Sequence, residues 1–242
     1  LSLNIRSRAS TRFIDLRRGD ACGGRVDEQA LKGRRAWGGV DLSAVSDFTA
    51  CVWAVESEQP GVEVELVPRF WLPSERLEEL QRQLLVPLGQ WVREGFIKLT
   101  EGDAIDYDAI EQQVMADCRF FDVQRIGYDR MFAGQLVQNV DRETKRGLVV
   151  EPLAQTFLGV SAACKEMDRL LRSDGLRHGG NPVLRWMAGV VEVIADGNDN
   201  IRTVKPDRQQ SQARIDGIQA GVMGLAGYLR RPKKKSRVAV GF

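Results

Sequence analysis

The chain has 242 residues, 43% of them apolar, and its 35 Lys and Arg against 33 Asp and Glu leave a formal charge of only +2. That length and apolar content suit one large domain with appendages around a sizeable core, and no stretch reaches the roughly 18 consecutive apolar residues of a membrane span. Four dispersed cysteines (Cys22, Cys51, Cys118, Cys164) and a single histidine exclude a zinc site of Cys/His type, and no G-x-x-x-x-G-K-S/T loop is present to cradle ATP phosphates.

Residues 1–35 alternate basic and small polar residues around a Gly-rich stretch at 20–25, and read as an irregular basic arm. The first strand is predicted over 35–41, Arg-Ala-Trp-Gly-Gly-Val-Asp, and ends in a carboxylate. Strands over 48–56 and 62–71 flank the turn residues Gln59, Pro60 and Gly61. Ser74, Glu78 and Glu79 open an amphipathic segment that Pro87 interrupts, with a second part over 88–95. The spacing of Ile110, Val114 and Cys118 predicts a helix over 106–121, followed by a strand over 123–129.

A helix at about 132–143, a strand at 147–152 and a helix at 158–171 come next. Pro182 can start a short helix through Trp186. Strands at 190–195 and 200–204 form a hairpin around Asp196-Gly-Asn-Asp. The last helix is predicted from about 211 to 229, with Ile215, Ile218, Val222, Leu225 and Leu229 at alternating three- and four-residue spacing. A meander followed by β-α-β-α alternation implies an α/β fold, a mixed sheet with helices packed on it.

Charge is strongly segregated along this order. Residues 1–35 carry nine Lys/Arg against four Asp/Glu, residues 36–200 sixteen against twenty-seven, and residues 201–242 ten against two. An acidic body between basic ends fits a metal-dependent enzyme acting on a polyanion, or a solvated acidic surface with ordinary basic tails. The run from Arg230 to Arg237 reads as a basic flexible tail, 230–242. The opening Leu, with no basic-then-apolar leader behind it, leads us to expect a fragment or processed product without a signal peptide.

Gly39-Val-Asp41 and Gly127-Tyr-Asp129 are alike: each is a strand end in Asp, with Gly two positions earlier on the same face. Gly there leaves room for a backbone or ligand to approach. Asp216, in Arg-Ile-Asp-Gly-Ile-Gln, stands beside the apolar stripe of the last helix, near its positive end. Each Asp alone is more simply a turn or cap residue. Together, three such carboxylates need a cation between them, and hard oxygen ligands suit Mg²⁺ or Mn²⁺.

At these residues the chain resembles the C-terminal nuclease domain of the large terminase subunit of tailed bacteriophages, or of a prophage relative. The resemblance rests on Trp-Gly-Gly-Val-Asp-Leu-Ser (37–43) with Asp47, Ile-Gly-Tyr-Asp (126–129), His-Gly-Gly-Asn-Pro-Val-Leu-Arg-Trp-Met (178–187) and Arg-Ile-Asp-Gly-Ile-Gln-Ala (214–220). These segments span nearly the whole chain in the family's order. Two positions depart from the family pattern: Gly189-Val190, where an Asn is common, and Arg214, where a Lys is common.

The resemblance implies a ribonuclease-H-like (resolvase/integrase-type) fold over 36–229, with helices on both faces of the mixed sheet and a β-hairpin in the C-terminal half. It also makes 1–35 a linker remnant from a missing ATPase domain. It implies an endonuclease that cuts double-stranded concatemeric viral DNA during genome packaging by two-metal phosphodiester hydrolysis, with no ATPase activity in this chain. Asp41, Asp129 and Asp216 would hold two divalent cations, Mg²⁺ or Mn²⁺, with Asp41 bridging, and Asp47 is a further candidate ligand or a turn cap.

His178 and Asn181 are accessory candidates. His178 either packs in its loop on Pro182 or Trp186 or serves as proton carrier or phosphate contact; Asn181 orders its turn or touches substrate. Lys205, Arg208, Arg214, Lys233, Lys234 and Lys235 are candidate DNA contacts, or a solvated face. Implied partners are double-stranded DNA and, in the parent motor, the portal protein and the small terminase subunit. The isolated domain is expected to be monomeric, without membrane association, in the cytoplasm of the infected host. The competing readings are a Holliday-junction resolvase or transposase-like nuclease of the same fold, and a catalytically idle module docking on portal or DNA.

Overall fold

The computed structural model describes residues 10–42, 48–129, 147–206 and 212–232. Asp47, the helix expected at 132–143, Arg208 and Lys233, Lys234 and Lys235 lie outside the described residues. Elements are numbered through the described residues in chain order.

Strands β2 (Arg35–Asp41), β3 (Thr49–Glu56) and β4 (Val64–Pro73) form the expected antiparallel meander. Side chains of β3 alternate between two cores: Ala50, Val52 and Ala54 enter one, Cys51, Trp53 and Val55 the other. A strand apolar on both faces must lie inside a covered sheet, and β3 is central here. The second half of the chain adds parallel strands, β6 (Asp122–Tyr128) beside β2 and β7 (Val149–Pro152) beside β6. Short strands β5 (Lys98–Thr100) and β8 (Leu176–Arg177) pair parallel with β4. The sheet order is β5-β4-β3-β2-β6-β7, with β8 also on β4.

Helices cover both faces. Helix α4 (Tyr107–Phe120) closes one core with Ile110, Val114 and Met115, and the Asp106 carboxylate caps it by accepting from the Asp108 and Ala109 N–H groups. Helices α5 (Phe157–Arg172), α6 (Pro182–Val190) and α7 (Asp216–Leu229) fill the other core. Two short helices, α2 (Leu77–Leu84) and α3 (Leu88–Arg93), are separated by Leu85 in the left-handed region, just ahead of Pro87.

Three expectations change. The last helix begins at Asp216 rather than near 211: Gln212 is exposed, Ala213 and Arg214 are only partly buried, and the buried run starts at Ile215. Once begun, α7 is buried on nearly all sides from Asp216 to Tyr228 rather than along one stripe. The helix after Asn181 runs on to Val190, because Met187 and Ala188 continue the buried face begun by Val183 and Leu184.

The N-terminal region differs most. Residues 10–34, read from sequence as irregular, contain β1 (Thr11–Arg12), α1 (Leu16–Ala21) capped by Asp15, and a 3-10 turn (Glu28–Leu31) capped by Asp27. β1 pairs with β9 (Glu192–Ala195), which pairs with β10 (Ile201–Val204), so the expected hairpin becomes a three-stranded sheet. Ile14, Cys22 and Leu31 are buried. They are too widely spaced to show a period, and the cores they join are built mostly by distant segments.

Among the described residues, no helix is long and apolar enough to cross a membrane. All four cysteines are free thiols. Burial pushes the Cys118 and Cys164 thiols up to about 12 and raises Cys51 and Cys22 as well. Such thiols pack as small apolar groups.

Candidate active site

Two of the three carboxylates are neighbours because their strands are. In the parallel pair β2 and β6, Gly39 is in register with Gly127 and Val40 with Tyr128. The Asp129 N–H then donates to the Val40 carbonyl at 3.3 Å, so Asp41 and Asp129 leave the sheet side by side at its carboxyl end. Sites in open α/β sheets gather at such strand ends.

The third arrives on α7, which runs antiparallel to β2. Gly227 lies over Trp37, Gly224 over Gly39, and a β-carbon on Gly39 would run into the Ala220 carbonyl oxygen. Continuing that order carries the first residue of α7, Asp216, to the Asp41 end of β2. Asp216 is buried, in the first turn of the helix, where the helix dipole favours negative charge. The following N–H, of Gly217, points at the Met187 sulfur at 3.1 Å.

The paired glycines act differently. Gly39 makes way for the backbone of α7, whereas a methyl at Gly127 would sit 3.6 Å from the Met223 carbonyl oxygen, an ordinary contact. Gly38, pointing the other way, clears the ring of Trp53, which a β-carbon would meet at 2.5 Å. The Gly-Gly pair before Val40-Asp41 therefore lets β2 pass between an indole on one face and a helix backbone on the other.

An unforeseen residue joins the group. Gln155, in the loop between β7 and α5, donates its side-chain N–H to Asp129 Oδ2 at 3.2 Å. Its own carbonyl accepts from the side chain of Gln219 on α7. A glutamine in a loop carries no pattern by which sequence alone would single it out.

Three oxygen-only carboxylates at one sheet end have the donor chemistry of a Mg²⁺ or Mn²⁺ site. Among the described residues, no three acidic, histidine or cysteine side chains are drawn together tightly enough to enclose one ion. The fit is thus one of donor type and position in the fold.

The accessory candidates make contacts of their own. Asn181 caps α6, its Oδ1 accepting from Val183 and Leu184 N–H groups at 3.0 Å each, ahead of Pro182 in the first turn. The His178 Nε2 is 2.8 Å from the Gly19 carbonyl of α1, and its backbone N–H donates to the Cys22 carbonyl. Trp186 packs at a tilt against both Phe48 and Trp91. Lys205 is exposed after β10, and Arg214, half-buried two residues before Asp216, donates to the Gln212 carbonyl at 2.8 Å.

Comparison with known proteins gives this arrangement a family. The family model for the terminase large subunit, endonuclease domain, matches residues 2–230. The large terminase subunit of Enterobacteria phage HK97 is 32% identical over 227 residues, covering 93% of this chain and 43% of the relative. Protein YmfN of Escherichia coli (strain K12) is 27% identical over 165 residues, 66% of this chain and 35% of that protein. The crystal structure of the HK97 large terminase superposes with a TM-score of 0.78 at 29% identity, over 90% of this chain and 44% of that one. The chain thus spans less than half the length of these relatives. Its mixed sheet with helices on both faces is the ribonuclease-H-like fold, and the chain belongs to the endonuclease-domain family of the terminase large subunit.

Proposed function

We propose that this domain is a divalent-metal-dependent endonuclease that cuts double-stranded concatemeric viral DNA during genome packaging. One observation carries the reading: two adjacent parallel strand ends and the start of an antiparallel helix bring Asp41, Asp129 and Asp216 to the same end of the sheet.

In this reading Asp41, at the end of the strand between β3 and β6, would be the ligand shared by the ions, and Asp129 and Asp216 would supply the others. Two divalent ions held there, Mg²⁺ or Mn²⁺, would supply activation of water and charge neutralisation at the departing 3′ oxygen. Lys205 and Arg214, with Arg208 between them in sequence, lie on the segment leading into Asp216 and would hold backbone phosphates without reading bases. Products would carry 5′-phosphate and 3′-hydroxyl ends. Asp47 is a further candidate ligand. In the infected cell the partners of the whole motor would be the portal protein and the small terminase subunit.

The test is plasmid cleavage with Mn²⁺ by wild type and by Asp41→Ala, Asp129→Ala and Asp216→Ala proteins. Wild type should linearise the plasmid, and each variant should lose cutting by at least about a hundredfold. A variant that still cuts at the wild-type rate removes its residue from the centre. A strong preference for four-way junctions over linear duplex would replace the packaging nuclease with a resolvase.

A further inference from the structure

Gln155 is held from both sides. Ahead of it, the Leu153 N–H donates to the Tyr128 carbonyl at 2.9 Å, tying the end of β7 to the residue before Asp129. Behind it, Thr156 caps α5 with its side chain on the Gly159 N–H. Gly159 lies so close to this loop that a β-carbon there would run into the Ala154 carbonyl oxygen. The residues 153–156 are therefore clamped between an anchored strand and a capped helix.

The direction of the relay follows from chemistry. A carboxylate only accepts, so the Gln155 amide must turn its NH₂ toward Asp129 Oδ2, at 3.2 Å. Its oxygen is then left facing α7, where the Gln219 NH₂ meets it. Gln219 lies three residues after Asp216 on the same helix. The chain Asp129–Gln155–Gln219 thus links one carboxylate to the helix that carries another.

We propose that Gln155 and Gln219 are positioning residues: together they fix the rotation of the Asp129 carboxylate relative to α7, and so the spacing at which Asp129 and Asp216 present oxygens to a divalent cation. Partners of this kind orient ligands and typically change metal affinity about 10–100-fold when removed. The inference rests on the three-carboxylate reading and adds residues that reading does not require. Neither glutamine need touch the cation or DNA.

The test uses Mn²⁺ itself, titrated into the full chain without DNA and followed by calorimetry and by the electron paramagnetic resonance signal of free Mn²⁺. Gln155→Met and Gln219→Met keep an unbranched side chain of similar length and delete the amide. Both should weaken Mn²⁺ binding about tenfold or more, while the melting temperature in EDTA moves by no more than a few degrees. The resonance of the bound ion should also change, which a role in folding alone would not cause. Two variants at opposite ends of the relay guard against one failing to fold. Wild-type affinity in both, with binding lost in Asp129→Asn, overturns the role of the glutamines and leaves the carboxylate centre standing. Equal affinity in wild type and Asp129→Asn overturns the centre and this proposal with it.

Discussion

Gly39 and Gly224 face each other where α7 crosses β2: a β-carbon on Gly39 would stand 2.7 Å from the Gly224 amide nitrogen, and one on Gly224 would stand 2.9 Å from the Trp37 carbonyl oxygen. Strand and helix backbones meet here with no side chain between them. This contact sets how closely α7, which starts at Asp216, lies on β2.

Gly39→Ala should therefore destabilise the fold and misplace the site together. The added methyl meets backbone, which cannot rotate away, so the cost belongs at the upper end of overpacking, about 3 kcal/mol or more. Thermal denaturation should show a drop of many degrees, and Mn²⁺-dependent cleavage by the protein that remains folded should fall. Gly127→Ala, which meets only ordinary contacts, should be much milder on both measures.

Asp117 is a buried structural carboxylate. It accepts from Trp53 Nε1 at 2.7 Å, from two nitrogens of Arg69 at 3.2 Å each and from Gln113 at 2.9 Å. Arg69 also grips Glu28 of the 3-10 turn. Burial alone would pull the Arg69 guanidinium toward neutrality, but Glu28 and Asp117 outweigh it and hold it firmly charged. Asp117→Ala would leave the indole N–H without the Asp117 carboxylate and the guanidinium with Glu28 as its one remaining carboxylate partner, a loss of about 3–5 kcal/mol. Urea unfolding should register it, and Asp117→Asn, which keeps an acceptor for Trp53, should lose less.

Alkaline pH should weaken the fold through its buried thiols. Cys118 and Cys164 are raised by burial from 9.0 to about 12. The unfolded chain therefore releases their protons first, and stability present below pH 9 is lost as pH rises toward 12. At pH 10 each thiol accounts for about 1.4 kcal/mol. Tyr107 and Tyr228, also raised by burial, act in the same direction. Cys164→Ala should flatten the decline between pH 9 and 11 in chemical denaturation, and native protein should resist thiol reagents.

Asn181 and His178 should separate stability from chemistry. Asn181→Ala removes a helix cap and should cost about 1 kcal/mol. His178→Ala removes the ring contact to the Gly19 carbonyl and should loosen α1, read as faster amide exchange over 16–22. Plasmid cleavage per folded molecule should stay near wild type in both.

Much of the architecture was legible in the residues. The turn residues 59–61 marked off the strands on either side of them, the helix expected from 106 begins behind the Asp106 cap, and the turn chemistry at 196–199 marked its hairpin. The Gly-x-Asp endings of two strands pointed to Asp41 and Asp129 because a side-chain period of two is local information. The N-terminal region was not legible. Ile14, Cys22 and Leu31 bury themselves individually, and pairing of β1 with β9 joins residues some 180 positions apart, as in Thr11 with Val193.

The sequence by itself determined which side chains could do the chemistry: the three aspartates, the glycines beside two of them, and basic residues near the third. Segregation of charge beneath a net of +2 belonged to that same level of description. Tertiary structure decided that α7 runs antiparallel to β2 at backbone contact, bringing Asp216 to the strand ends. It also decided that Gln155 reaches Asp129 and Gln219 at once. Covalent order and periodicity act over a few residues, whereas these contacts depend on how closely distant backbones can pack and where a clamped loop can aim one amide.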